Sequence, residues 1–310
     1  IERKEAIMSL FEDTNPKSLK ELLSEIHSLT TVLPNFQRDF VWDPNATQEL
    51  IVSIANNYPA GSLLRVRDKK RVFAAREFEG APVLGDKIHT FLVLDGQQRL
   101  TSLYQAFYGV GEHCYYLDLK KLLDGNDFED AIFNLRATTK WVKEHENFEV
   151  QAQELILPLS VLKKGATGFF EWLFEVTQPM PPTERASMTD ALKKIHEQWI
   201  MKIDDYHFPV VTLSDETEPD ALCTIFETLN RTGVKLSVFE LLTARFWPQK
   251  INLRDLWEKA RDEYPILVNY DADPIYILQA ISLACRKAPS CKRSDVLNLT
   301  ATDINEWWSK

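Results

Sequence analysis

Cysteine is scarce in this chain. Its 310 residues hold four, Cys114, Cys223, Cys285 and Cys291, widely scattered and with no CxxC pair. That excludes a disulfide scaffold and gives neither a zinc knuckle nor a dithiol redox centre a basis in the sequence. Long apolar runs are also missing. The longest, Thr90 to Leu94 and Ile275 to Ala284, fall well below the ~18 residues needed to cross a membrane. Nothing resembles a secretory segment, so reduced thiols in a cytoplasm, away from any membrane, are the expectation. The histidines (His27, His89, His113, His145, His196 and His207) show no ligand spacing, which argues against a catalytic metal cage. Positive charge is in deficit: 36 Lys and Arg against 46 Asp and Glu leave a formal net charge of −10. Phosphate binding needs a positive local field, so whole-surface affinity for nucleic acid is excluded, while a local patch is not.

What is present describes a globular protein. Hydrophobic residues make up 45% and charged residues 26%, close to the folded average and far from a disordered chain. The length suggests two units, or one large domain with an appendage. The chain starts at Ile1 and ends at Lys310 just after a Trp-Trp pair, and a piece of something longer is expected.

Residues 15–28 have Leu19, Leu22, Leu23 and Ile26 at helical spacing. LPNFQRDFVWDP (33–44) reads as extended and aromatic, closed by Asp43-Pro44. A helix follows over 46–57. Three strands come next, SLLRVRD, RVFAAREF and HTFLVLD, then a helix from RLTSLYQAFYG and a strand at CYYLDL. The pattern is mostly helical over 128–206, and HFPVVTLSD (207–215) reads as a strand returning to the first sheet. Helices are expected at 219–231 and 237–246, and throughout 251–310. The sum is an α+β fold: a small mixed sheet with flanking helices, then a helical C-terminal half. One domain is expected over 1–247, with a helical insertion around 128–206, and a helical extension over 248–310.

TFLVLDGQQRLTSLYQAF (90–107) carries the most chemistry. An apolar strand ends in Asp95-Gly96, and a helix begins within two or three residues. The first helical N–H groups are then unsatisfied, and with the helix dipole they form an anion site. Gly96 lets a ligand approach the backbone, Gln97 and Gln98 can hold a water or a phosphate oxygen, and Arg99 offers a planar fork suited to phosphate. Asp95 can ligate a divalent cation or orient an attacking water. The plainer alternative is that Asp95 only caps the helix.

Two other stretches are polar where ligands are held. Gln37 and Arg38 sit among the aromatics of FQRDFVW. FETLNRTGVKLS (226–237) ends a helix in Asn230-Arg231-Thr232-Gly233, equally readable as a helix stop. A separate basic stretch, Arg65, Arg67, Lys69, Lys70, Arg71 and Arg76, falls on two of the expected strands. It reads either as a solvated hairpin or as a ribbon for DNA, with Arg67, Lys69, Lys70 and Arg71 as its contacts.

FQRDFVW, LDGQQRLTSL and FETLNRTGVKLS, in this order, resemble the three signature motifs of the GmrSD-type N-terminal domain of bacterial restriction and phage-defence proteins. The resemblance spans about residues 33–247. It implies a ParB/sulfiredoxin-like fold and a nucleotide-binding, NTP-hydrolysing domain that regulates a nuclease. Carried onto this sequence, it implies a hydrolysis site made of Asp95, Gln97, Gln98 and Arg99. Gly96, Thr101, Gln37, Arg38, Asn230 and Arg231 would bind the nucleotide, GTP or ATP, and Mg²⁺ is the implied cofactor, with Asp95 as its ligand. A nuclease domain or subunit, modified DNA and a second copy of the chain are the implied partners. Many members carry an HNH nuclease, yet no paired histidine with a nearby Asn or Cys follows residue 250, so cleavage of DNA by that route is not expected. The rival readings are a sensor of modified DNA without turnover and an inert scaffold of a defence complex.

Overall fold

The computed structural model describes residues 11–35, 37, 39–71, 73–217, 221, 225, 237–286 and 289–310. Nine strands occur among them: β1 (Phe11–Ser18), β2 (Thr31–Pro34), β3 (Leu63–Arg67), β4 (Ala75–Arg76), β5 (Phe91–Asp95), β6 (His113–Asp118), β7 (Ile132–Arg136), β8 (Ile156–Pro158) and β9 (His207–Leu213). The main sheet has the order β1-β9-β3-β5-β2-β4, and a second sheet has the order β7-β6-β8. β5 lies between β2, parallel to it, and β3, antiparallel to it, while β3 runs parallel to β9. This is the expected α+β fold, a mixed sheet with flanking helices and a helical C-terminal part. The contacts divide the chain into two compact units. Described residues up to 33, with 39–67 and 77–213, form the larger; 34–38, 68–76 and those from 214 onward form the smaller.

Three helices of the larger unit matter for the site: α1 (Leu19–His27), α2 (Pro44–Ala55) and α3 (Gln97–Tyr108). α1 buries Leu19, Leu22, Leu23 and Ile26, the four residues its periodicity marks. It starts later than the expected residue 15. Asn15, Pro16 and Lys17 belong to β1 and pair with β9, and Ser18 ends the strand by accepting the Glu21 N–H with its side chain. α2 begins at Pro44, whose missing N–H is no loss in a first turn, and Asp43 caps it by accepting from the Asn45 and Ala46 N–H groups.

One further expectation is corrected, and a mostly helical stretch gains two short strands. RVFAAREF forms only the two-residue β4; Arg71 has a φ of 54°, a left-handed turn that no strand continues through. The stretch 128–206 contains β7 and β8 as well as helices. β6 pairs with β7 over its first five residues and with β8 over its last three, because an isolated six-residue strand leaves its backbone groups unpaired. The helix expected over 219–231 lies outside the described residues except at Ala221 and Ile225, as does Cys223.

The smaller unit is helical from Val238 onward, with helices at Val238–Phe246, Leu253–Glu263, Pro265–Asn269, Ile275–Ala284, Arg293–Leu297 and Ala301–Trp307. Phe246, Leu253, Leu278, Val296 and Ile304 are buried at its centre.

Candidate functional site

The junction at Asp95 forms in the larger unit. Four of the five residues of β5 are buried, so the strand is fixed in the sheet and delivers its last residue to the surface. Gly96 follows with a φ of 96°, which turns the chain straight into α3. A Cβ at 96 would lie 2.2 Å from Leu63 Cδ2. Conformation and space therefore both demand glycine. Gly96 is the N-cap, and no side chain caps the helix. In particular Asp95 is not the cap: its carboxylate is half-exposed and sits 3.1 Å from Arg99 Nη2. A twelve-residue helix thus begins beside the exposed Asp95 with no side-chain hydrogen bond capping its positive end.

The first turn of α3 grips two other segments. Gln98 is buried and reads the backbone of the aromatic segment at both ends of its amide. Its Nε2 donates to Asp39 O at 3.1 Å, and its Oε1 accepts from the Val41 N–H at 2.9 Å. Arg99 donates from Nη1 to Ala60 O and from Nη2 to Ser62 O, both at 2.8 Å. Gly61 lies between those carbonyls with a φ of 82°, and a Cβ there would stand 2.3 Å from Arg99 Nη1. Tyr206 reinforces the second segment, its hydroxyl donating to Tyr58 O and accepting from the Ala60 N–H. Segments 39–41 and 60–62 are the two ends of the chain that carries α2. Two adjacent side chains of α3 therefore hold α2 at both flanks. Thr101, fully buried, donates its hydroxyl to Gln97 O at 2.8 Å.

Asp95, Gly96, Gln97, Gln98, Arg99 and Thr101 thus come together. Gln37 is buried in the smaller unit, where its carbonyl accepts from Arg76 Nη2 at 3.3 Å. Arg38, Asn230 and Arg231 lie outside the described residues. Sequence reasoning missed the gripped backbone at Asp39, Val41, Ala60 and Ser62, because main-chain groups carry no side-chain signature.

Four cations of the basic stretch are tied to acids, while Arg71 is exposed in its left-handed turn. Arg65 is 3% exposed, its Nη1 2.9 Å from Glu25 Oε2, its Nε donating to Thr212 Oγ1 at 3.1 Å and its guanidinium 3.6 Å from the centre of the Phe91 ring. Burial lowers its pKa against the pull of Glu25. Arg65 is therefore a core residue of the sheet and not part of an exposed ribbon. Arg67 forks onto Glu12 at 2.8 and 2.7 Å, Lys69 lies 3.6 Å from Asp215, and Lys70 lies 2.7 Å from Glu216.

Residues 19–247, well over half of the chain, match a family model described as the GmrSD restriction endonuclease, N-terminal domain. A protein of Methanocaldococcus jannaschii described as uncharacterized is 28% identical over 332 aligned positions, covering 98% of this chain and 54% of its own length. The chain thus spans about half the length of that curated relative. Among the described residues, no helix is long and apolar enough to cross a membrane.

Proposed function

The chain belongs to the family of the GmrSD restriction endonuclease N-terminal domain, and from that premise we propose that it binds and hydrolyses a nucleoside triphosphate to regulate the nuclease of a DNA-restriction, phage-defence system. The observation that carries the reading is the start of α3. A long helix opens on a left-handed glycine with no side-chain cap, beside a half-exposed carboxylate and a guanidinium. Phosphate oxygens are the ligands that such an end attracts.

The residues divide the work. The N–H groups of the first turn take phosphate oxygens, and the left-handed turn at Gly96 sets their direction. Arg99 contributes its positive charge from where it is already held, at the mouth of the site, so it needs no reorganisation to stabilise charge on the transferring phosphoryl group. Asp95, oriented by Arg99, accepts a hydrogen bond from the attacking water; Gln97 stands next to it in the turn. Gln98 keeps segment 39–41 against the helix.

Among the described residues no group of three His, Cys, Asp or Glu gathers to hold a metal. A magnesium ion that keeps its waters and takes one carboxylate plus the nucleotide phosphates fits such a donor set, with Asp95 as the protein ligand. When bound it would supply charge neutralisation to the phosphates.

The test is phosphate release from ATP, GTP, CTP and UTP with Mg²⁺, with and without DNA. Turnover is expected to fall by about a hundredfold or more in Asp95→Ala and Arg99→Ala, the scale of losing one pre-placed electrostatic group. If Arg99→Ala, folded by circular dichroism, hydrolyses as fast as wild type, the assignment is wrong. If no nucleotide gives release or a thermal shift, the regulatory role passes to DNA sensing or scaffolding.

A further inference from the structure

The other end of α3 opens on a different chemistry. Gly109, its C-cap, together with Cys114 and Tyr116 on β6, Glu146, Phe148 and Val142, lines a cavity of about 300 Å³ within the larger unit. That volume is at the small end of the range for small-molecule sites.

Two of its lining side chains, His145 and Gln151, are fixed. The His145 side chain is 2% exposed, with Nε2 3.0 Å from Glu154 Oε2 and Nδ1 2.8 Å from Trp141 O. The imidazole also lies flat on the Trp141 indole, ring centres 3.4 Å apart. Gln151 donates from Nε2 to His145 O at 2.6 Å and accepts from Trp172 Nε1 at 2.7 Å. Groups satisfied in this way hold the shape of a cavity without needing its ligand.

Glu146 is the carboxylate among the lining residues, and the lining imidazole, His145, is already engaged by Glu154. Burial pushes the Cys114 thiol and the Tyr116 hydroxyl up, and the negative charge of Glu146 adds to both shifts; each stays neutral near pH 7. No lysine or arginine lines the space. Among the described residues no cation pairs with Glu146. Gly109 marks the negative end of the α3 dipole. Glu146 and the end of α3 disfavour phosphate and carboxylate ligands, while Phe148 and Val142 offer apolar contact.

We propose that this cavity binds a small organic ammonium ion, its charge against Glu146 and the C-terminal carbonyls of α3 and its apolar body against Tyr116, Phe148 and Val142. One helix then serves two ligand classes, anions at Gly96 and cations at Gly109. The proposal stands whether or not the Gly96 end takes a nucleotide.

Calorimetric titration of the whole chain with phenethylamine, phenethyl alcohol and phenylacetate separates charge from shape, since the three share one apolar body. Saturable binding of the amine is expected, with the alcohol about tenfold weaker, as for a lost charge-assisted bond, and phenylacetate silent. Glu146→Gln, at an exposed position that leaves the fold intact, is expected to bring the amine down to the level of the alcohol. Phe148→Ala is expected to weaken amine and alcohol alike. Binding of phenylacetate as tight as the amine, indifference of the amine to Glu146→Gln, or no heat from the amine into the millimolar range would each overturn the proposal.

Discussion

Single residues in this chain are placed by what they lack as much as by what they touch. His196 is the clearest case. It is buried, its ring centre 4.9 Å from those of Phe169 and Phe170, and Nε2 has no hydrogen-bond partner. Burial lowers its pKa below 6.5, against the opposing pull of Asp204 and Glu197. The folded chain therefore keeps this ring neutral where the unfolded chain would protonate it, and stability is lost as pH falls below 6.5. Asp204 acts in another window. Burial raises its pKa above 3.8, so its contribution is lost as pH rises through the range just above that value. His196→Phe removes the first effect and a buried unpaired nitrogen with it. Melting temperatures are expected to drop less in the variant than in wild type between about pH 7.5 and about pH 5.5, with equal or higher stability at the upper pH. An unchanged acid sensitivity would show that the ring is protonated in the fold.

At the scale of elements, α3 organises the site, and its first turn was only half legible in sequence. An apolar strand, Asp-Gly and a helical spacing were enough to place β5, the turn and α3, because each rests on local rules of periodicity and backbone conformation. The same rules marked the buried face of α1. They did not give its start, since β1 is made by pairing with β9, nearly two hundred residues away along the chain. β7 and β8 escaped for the same reason. In the site, the sequence showed Gln98 and Arg99 as polar residues beyond a strand but not which groups they address, because backbone carbonyls look alike in any sequence. The grip on segment 39–41 makes a measurable claim. Gln98→Ala takes away the acceptor of the Val41 N–H, and hydrogen exchange at that amide is expected to speed up about fivefold for a bond worth about 1 kcal/mol. Leu50, Ile51 and Ile54, buried in α2, should keep their protection. Equal exchange at Val41 in both proteins would mean that the segment is held by other contacts.

For the molecule as a whole, charge decides between an enzyme that reads nucleotides and a module that reads DNA. The net charge of −10 opposes any approach to a polyanion, so only an uncompensated cationic patch would bind one. Four of the six cations in the strongest basic stretch of the sequence are compensated. Arg65 is paired with Glu25 in the core, Arg67 with Glu12, Lys69 with Asp215 and Lys70 with Glu216. Each acid would have to give up its partner before a phosphate could take its place, and counterion release, the main source of non-specific affinity, would shrink accordingly. Duplex DNA titrated by fluorescence anisotropy at physiological salt is therefore expected to bind no more tightly than about 10⁻⁴ M, the weak edge of non-specific binding, with affinity nearly independent of salt. Neutralising the acids of the exposed pairs, in the double variant Asp215→Asn, Glu216→Gln, releases Lys69 and Lys70. It should strengthen binding and steepen the log–log salt slope by about −0.9 for each cation that reaches a phosphate. Tight, salt-dependent binding by the wild-type chain, lost in Lys69→Ala with Lys70→Ala, would instead mean that these ion pairs open for DNA, and the sensor reading would displace hydrolysis as the primary role of the chain.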